Sequence, residues 1–273
     1  SRSAIKKIYS LKKRPKFNPL IIHYYNLAAS YRDIEVNKNF LSLYEKLCHG
    51  RITFILKKKD SSKITSLATS GLKTIAIRFP NNRTIKRIMK KLDFPLAIPS
   101  ANMSSGISPV DALDVAEEFN MKLKLIINGG RSKFGLESTV VDLTGKPKIL
   151  RPGAISAEKI SKILKKKVVI NNSKIKIKAP GSLKKHYSPG IPIKLNQTKI
   201  IKNQAFITFG KKFKEQKNIF NLSKNSNLNE AAKNLYKIFR KIKKLKYKKI
   251  NIIRIPRRGI GIAINDRIKH AAN

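Results

Sequence analysis

A chain of 273 residues, 41% hydrophobic and 28% charged, has the composition of one large or two modest globular domains rather than of a disordered polymer. No apolar run approaches the ~18 residues of a membrane span, and one cysteine, Cys48, excludes an internal disulfide and a cysteine-rich zinc site. Lysine and arginine number 61 against 15 acids, a net charge of +46; this points either to a polyanionic partner or to a compositional bias spread along the chain, without one discrete basic tail. Ser1 to Lys7 is polar and carries no secretory apolar region, so a cytoplasmic location is expected, with no membrane association.

Strand-like and helix-like segments alternate. Ser3 to Lys13 and Asn37 to Leu47 read as helices. Ile52 to Leu56 and Thr74 to Phe79, rich in β-branched and aromatic residues, read as strands. Ile85, Ile88, Met89 and Leu92 make a helical stripe in Asn82 to Leu92. Pro95 to Pro99 reads as a short strand that runs into Ser100-Ala101-Asn102, and Asp111 to Phe119 as a helix with an acidic first turn. Strands are expected at Leu123 to Ile127, Ser138 to Leu143 and Lys148 to Leu150, followed by a helix over Ser156 to Leu164 that Ser156 caps.

Beyond this point the texture changes. Asn171 to Asn196 holds Pro180, Gly181, Pro189, Gly190 and Pro192 with no periodic stripe, and reads as an extended linker. A strand at Ala205 to Phe209, a long amphipathic helix over Leu228 to Leu245, a strand at Ile250 to Ile255 and a helix over Ile262 to Ala271 follow. That order predicts a small α/β domain. The expected organisation is therefore a domain over 1–170, a linker over 171–196 and a smaller domain over 197–273.

Several motifs stand in order along the chain. They are Lys12-Lys13-Arg14-Pro15 with Asn18-Pro19-Leu20 and His23; Thr74-Ile75-Ala76-Ile77-Arg78; Pro99-Ser100-Ala101-Asn102 with Ser108-Pro109; Gly135-Leu136-Glu137-Ser138-Thr139-Val140; and Leu150-Arg151-Pro152-Gly153. Pro180-Gly181, His186-Tyr187-Ser188-Pro189 and Ala263-Ile264-Asn265-Asp266-Arg267 complete the set. Together they resemble the YrdC-like threonylcarbamoyl-AMP synthases in their long, two-domain form.

The resemblance implies an α/β fold, in which a twisted open sheet curls around a cationic cavity and a linker leads over it to a small Rossmann-like domain. It implies a nucleotidyl transfer in which L-threonine, bicarbonate and ATP give threonylcarbamoyl-AMP and pyrophosphate. Magnesium would accompany the ATP. A separate transferase would then pass the threonylcarbamoyl group to tRNA beside the anticodon. No covalent enzyme intermediate is needed, so cations and aligned donors suffice and a Walker-type loop is not required. Carried over residue by residue, the resemblance implies ATP contacts at Lys12, Arg14, Asn18, Thr74, Asn102, Val110, Arg151, His186 and Tyr187, and threonine contacts at His23, Arg78, Ser100 and Ser138. Arg78 and Thr74 are four apart in an expected strand and so share a face, and a guanidinium suits a carboxylate bidentately. Tyr187 would stack on adenine and the linker would close as a lid. Glu137 reads better as an ion-pair partner than as a general base, because one acid stands among many cations.

Two departures stand out. The family's leading strand, with its Tyr-Pro-Thr-x-Thr-x-Tyr-Gly-Leu motif and a threonine-binding Thr, has no counterpart in these 273 residues, and activity is expected to need it. Leu47-Cys48-His49-Gly50-Arg51 stands where the family has Trp-Pro-Gly-Pro. Two other functions compete. One is a noncatalytic module that contacts tRNA or double-stranded RNA, motivated by the charge. The other is a carbamoyl-adenylate step in metallocentre maturation, weakened by the lack of zinc-finger cysteine pairs.

Overall fold

The computed structural model describes residues 1–120, 122–171 and 186–273. They divide into two compact units, Ser1–Pro99 with Glu137–Ser182, and Ser100–Leu136 with Leu183–Asn273. The order of elements is α1 (Arg2–Lys12), β1 (Ile21–His23), α2 (Leu27–Ser30), α3 (Lys38–Leu47), β2 (Ile52–Lys57), β3 (Thr74–Arg78), α4 (Arg83–Lys90), β4 (Leu96–Ala97), α5 (Ala112–Phe119), β5 (Thr139–Asp142), β6 (Lys148–Arg151), α6 (Ala157–Leu164) and β7 (Val169–Ile170). After these come β8 (Ile193–Lys194), β9 (Ala205–Thr208), β10 (Ile219–Asn221), α7 (Leu228–Lys244), β11 (Ile250–Ile252) and α8 (Gly261–Ala272).

The first unit is built on a mixed seven-stranded sheet of order β4-β1-β3-β2-β5-β6-β7. The period-2 alternation of its strands sorts the side chains onto two faces. Ile22, Ile52, Phe54, Leu56, Ile75, Ile77, Val141 and Ile149 join the main core, together with Ile5 and Tyr9 of α1, Phe40 and Leu43 of α3, and Ile160 and Leu164 of α6. The other face carries only a small apolar cluster of Ile21, Ile55, Ala76 and Val140. Interleaved with that cluster by the same alternation are His23, Thr53, Thr74 and Arg78. The helices are anchored by local chemistry. Asn37 accepts from the Phe40 amide at 3.0 Å and Ser156 from the Lys159 amide at 3.2 Å; each satisfies an orphan donor of the first turn. The helix α1 ends where Lys13 turns left-handed at φ 48°, and Tyr9 ties it to the Asn18 and Leu67 carbonyls at 3.0 and 3.2 Å.

The second unit holds a four-stranded sheet of order β10-β9-β11-β8 in which every pair is parallel. Its core gathers Ala205, Ile207, Ile250 and Ile252 with Leu235, Phe239 and Ile242 of α7 and Ile264 and Ile268 of α8. Ile107 and Val110 belong to the same cluster. Arg240 of α7, whose side chain is only 12% exposed, pairs with Asp114 and Glu118 of α5, each at 3.3 Å, and donates to the Ile107 carbonyl at 2.9 Å. Charges this far from water hold only when paired, and these pairs, with Ile107 and Val110, tie the Ser100–Leu136 segment to α7 within this unit.

Four elements differ from expectation. Residues 123–127 form no strand: Leu125 is 75% exposed and Ile127 53%, and an apolar run without a partner strand does not make a sheet. The strands β1 and β10 carry no three-residue signal of their own; β1 exists because β3 pairs it on one side and β4 on the other. Within the expected linker, β8 pairs in parallel with β11, while Pro180 and Gly181 lie outside the described residues.

Candidate active site

In the first unit the sheet brings together residues far apart in sequence. The β1–β3 register sets His23 directly opposite Arg78. The Arg78 Nε donates to the Gly50 carbonyl at 3.4 Å. Ser138 sits just before β5, its Oγ 2.7 Å from the Thr53 Oγ1 on β2. Arg151, at the end of β6 and 6% exposed, grips the same serine: its Nε and Nη2 donate to the Ser138 carbonyl at 3.1 and 3.0 Å, and Nη2 reaches the Ser138 Oγ at 3.1 Å. Thr74 lies at the start of β3, on the same face as Arg78.

At the end of α1 a second cationic group is buried. Lys12 is 4% exposed and Arg14 9%. Arg14 clasps the following loop, donating to the Asn18 carbonyl, the Asn18 Oδ1 and the Pro19 carbonyl at 3.0, 2.6 and 2.7 Å. Asn18 is fully buried, and its Nδ2 has no hydrogen-bond partner among the described residues. Buried amide donors are rarely left so, and this one is available to a ligand.

The electrostatics mark the Arg78 neighbourhood. Burial, then the charge of Arg151, pull the Arg78 guanidinium down to about 10, and Glu137 opposes them. Burial, then Arg78, pull the His23 imidazole down to about 3, against hydrogen bonds to the Ile21 and Leu96 carbonyls. Two guanidiniums that repel each other in a dry setting call for an anion. Because folded His23 titrates below its unfolded value of 6.5, its contribution to stability is intact above that pH and is lost as pH falls from 6.5 towards 3. The stability of the wild type is therefore expected to drop by roughly 2 kcal/mol more than that of His23→Gln between pH 7.5 and 5. Denaturant titrations of both proteins at the two pH values check this, and parallel losses would refute it.

The remaining expected contacts lie in the second unit. Ser100 Oγ donates to Asn102 Oδ1 at 2.7 Å, and Asn102 Nδ2 to the Gly106 carbonyl at 2.9 Å. The amide of Val110 is given to Asp114 at 2.8 Å, its carbonyl takes the Ser132 amide at 2.7 Å, and its side chain is packed in the core. Tyr187 is 1% exposed. Its ring stacks on Tyr236 at 5.8 Å, lies 5.0 Å from the Arg267 guanidinium and 3.9 Å from the His186 ring. A ring covered in this way is core. Tyr187→Ala is expected to lower the thermal midpoint along with activity, cavity formation costing about 3–5 kcal/mol. A differential scan decides it, and an unchanged midpoint would restore the lid.

Thr53 is the functional candidate that sequence reasoning missed. Its signal was faint: a lone hydroxyl in an otherwise apolar strand, fully buried, which only the Ser138 contact explains.

Comparison with known proteins places the chain in a family. The family model of the Sua5, YciO and YrdC proteins, described as "Telomere recombination", matches residues 1–153. The model of the threonylcarbamoyl-AMP synthase C-terminal domain matches residues 155–273. The threonylcarbamoyl-AMP synthase of Pyrococcus abyssi is 32% identical over 99% of this chain and 84% of its own. The synthase of Bacillus subtilis is 29% identical over 98% and 83%. The crystal structure of P. abyssi Sua5 complexed with L-threonine matches with a TM-score of 0.88 at 29% identity, over 99% of this chain and 84% of that one. This chain belongs to the threonylcarbamoyl-AMP synthase family, with a Sua5–YciO–YrdC part followed by the C-terminal domain of those synthases.

Proposed function

We propose that this protein is an L-threonylcarbamoyladenylate synthase. The observation that carries the reading is the pair of partly or fully buried guanidiniums, Arg78 and Arg151, that share a neighbourhood with Ser138, His23 and Glu137. Such a pair is built for a bound anion. Threonine and bicarbonate combine to a carbamate with loss of water. A carbamate oxygen then attacks the α-phosphate of ATP, and pyrophosphate leaves with the electron pair of the broken P–O bond. Arg78 would hold the threonine carboxylate, with Ser138, Ser100 and His23 orienting the substrate. His23 does so as a neutral imidazole at physiological pH. Lys12, Arg14, Asn18, Thr74, Asn102 and Arg151 would face the nucleotide, and Arg151, through Ser138, links the two subsites. Val110, His186 and Tyr187 support that side through packing.

Magnesium enters this reading with the nucleotide. Among the described residues no group of three His, Cys, Asp or Glu stands ready to hold an ion, and Mg²⁺ binds through phosphates and water with few protein ligands. It would neutralise charge on the phosphates. A cytoplasmic site of action and a tRNA-modifying transferase downstream belong to the same reading; no helix of the described residues is long and apolar enough to cross a membrane. The RNA-binding alternative is not favoured, because the relatives that match nearly the whole chain are threonylcarbamoyl-AMP synthases.

The test is pyrophosphate release by the full gene product, with any residues encoded ahead of Ser1. Release is expected to require threonine, bicarbonate and Mg-ATP together. Release without threonine, or none at all, would sink the synthase reading.

A further inference from the structure

The Asn265-Asp266-Arg267 stretch of α8 has no place in the chemistry above, yet Arg267 is a completely buried arginine. A guanidinium at zero exposure is costly unless its surroundings use it. Asp266 forms an ion pair with it. Its guanidinium also lies 5.0 Å from the centre of the Tyr187 ring, within cation–π range, with the other aromatic neighbour, Tyr236, stacked on Tyr187. One turn further along α8, the His270 carbonyl accepts the His186 amide at 3.1 Å, which satisfies one of the helix's last carbonyls. Asn265 fixes the start of the helix by donating to the Gly261 and Ile255 carbonyls at 2.7 and 3.1 Å. The helix therefore holds His186 and Tyr187 from below.

What Tyr187 holds in turn is the Ser100–Val110 segment. The Ser188 amide donates to the Ser105 carbonyl at 2.9 Å, and Ser188 forms a parallel bridge with Gly106. The Gly106 carbonyl takes the Asn102 amide, and Asn102 takes the Ser100 hydroxyl. Tyr187 packs in one cluster with Ile107 and Val110. A continuous set of contacts thus runs from Arg267 through Tyr187 and Ser188 to Asn102 and Ser100.

We propose that Arg267 is a positioning residue, which acts through Tyr187 and Ser188 to hold the Asn102 segment in the geometry that receives ATP. This rests on the synthase reading for what the segment binds, though not for the contacts that hold it. The left-handed backbone of Tyr187, at φ 62°, adds a reason for such a clamp, since a non-glycine residue adopts it only when its surroundings impose it.

The experiment compares the full gene product with Arg267→Met, which keeps length and removes charge, Tyr187→Leu, the double variant, and Lys269→Met on the exposed side of the same helix. Hydrogen exchange is read at the Ser188 amide and at α7, and KM is measured separately for ATP and for threonine. Arg267→Met is expected to speed exchange at Ser188 at least tenfold with α7 amides still protected, and to raise KM for ATP about tenfold with threonine changed less than threefold. The double variant should be no worse than Tyr187→Leu alone, and Lys269→Met should match the wild type. Unchanged exchange at Ser188 would overturn the proposal whatever the kinetics, as would equal rises in both KM values, additive effects in the double variant, or loss of protection throughout α7. If exchange responds as expected while the wild type itself releases no pyrophosphate, the synthase reading falls and the positioning of the Asn102 segment stands.

Discussion

Replacing Gly153 by alanine is expected to abolish most of the activity, by roughly 100-fold or more, and to destabilise the first unit by about 3 kcal/mol. A Cβ at this position would lie 2.7 Å from the carbonyl carbon of Ser138 and 2.8 Å from the carbonyl oxygen of Glu137, and closer still to the Thr139 amide. All three are backbone atoms, so no side chain can swing aside. The segment from Glu137 to Thr139 must move instead. That segment presents Ser138 to Thr53 and Arg151 and carries the acid that opposes the depression of Arg78. A shift of an ångström there disturbs every group around the expected anion. Gly145→Ala is the control, because nothing lies within 4 Å of its added methyl. Pyrophosphate release and thermal midpoint on both variants check the argument; wild-type kinetics for Gly153→Ala would refute it.

The second large effect is expected for Arg78→Ala. If Arg78 holds the threonine carboxylate as proposed, loss of that charged hydrogen bond costs roughly 1.5–3 kcal/mol, or about 10- to 150-fold in KM for threonine, with ATP affected far less. The same change removes a positive charge that faces His23, so the His23 imidazole should titrate higher than in the wild type. Substrate titrations and NMR titration of the histidine measure the two consequences independently. Equal losses for both substrates would take Arg78 out of its assigned role, and an unmoved His23 would show that the two side chains do not share one field.

Much of this architecture was legible before any coordinates. The helical stripes that became α4 and α7, and the β-branched runs that became β2 and β3, are local signals whose period already states which face is buried. The structure adds caps at Asn37 and Asp111, while the cap at Ser156 is equally local. So is the sharing of one face by Thr74 and Arg78, which follows from their spacing alone. Most site residues stood out because they fall in motifs that resemble one family in order and spacing, an inference of kinship rather than of physics.

What only the tertiary structure decided depends on residues distant in the chain. The strand β1 is specified by its two neighbours, not by its three residues. The apolar run before Gly129 failed as a strand for want of a partner. Ser100–Leu136 meets α7 through ion pairs between residues some 120 apart in sequence and through Ile107 and Val110 in a shared core. Thr53 gained meaning from an oxygen on residue 138, and only the fold shows that the Tyr187 ring is buried between Tyr236 and Arg267. Local sequence determines the period and the ends of elements, because those depend on hydrogen bonds within a few residues. Pairing, burial and the depression of Arg78 and His23 by burial and neighbouring charge depend on which elements meet, and that is decided only when the chain closes on itself.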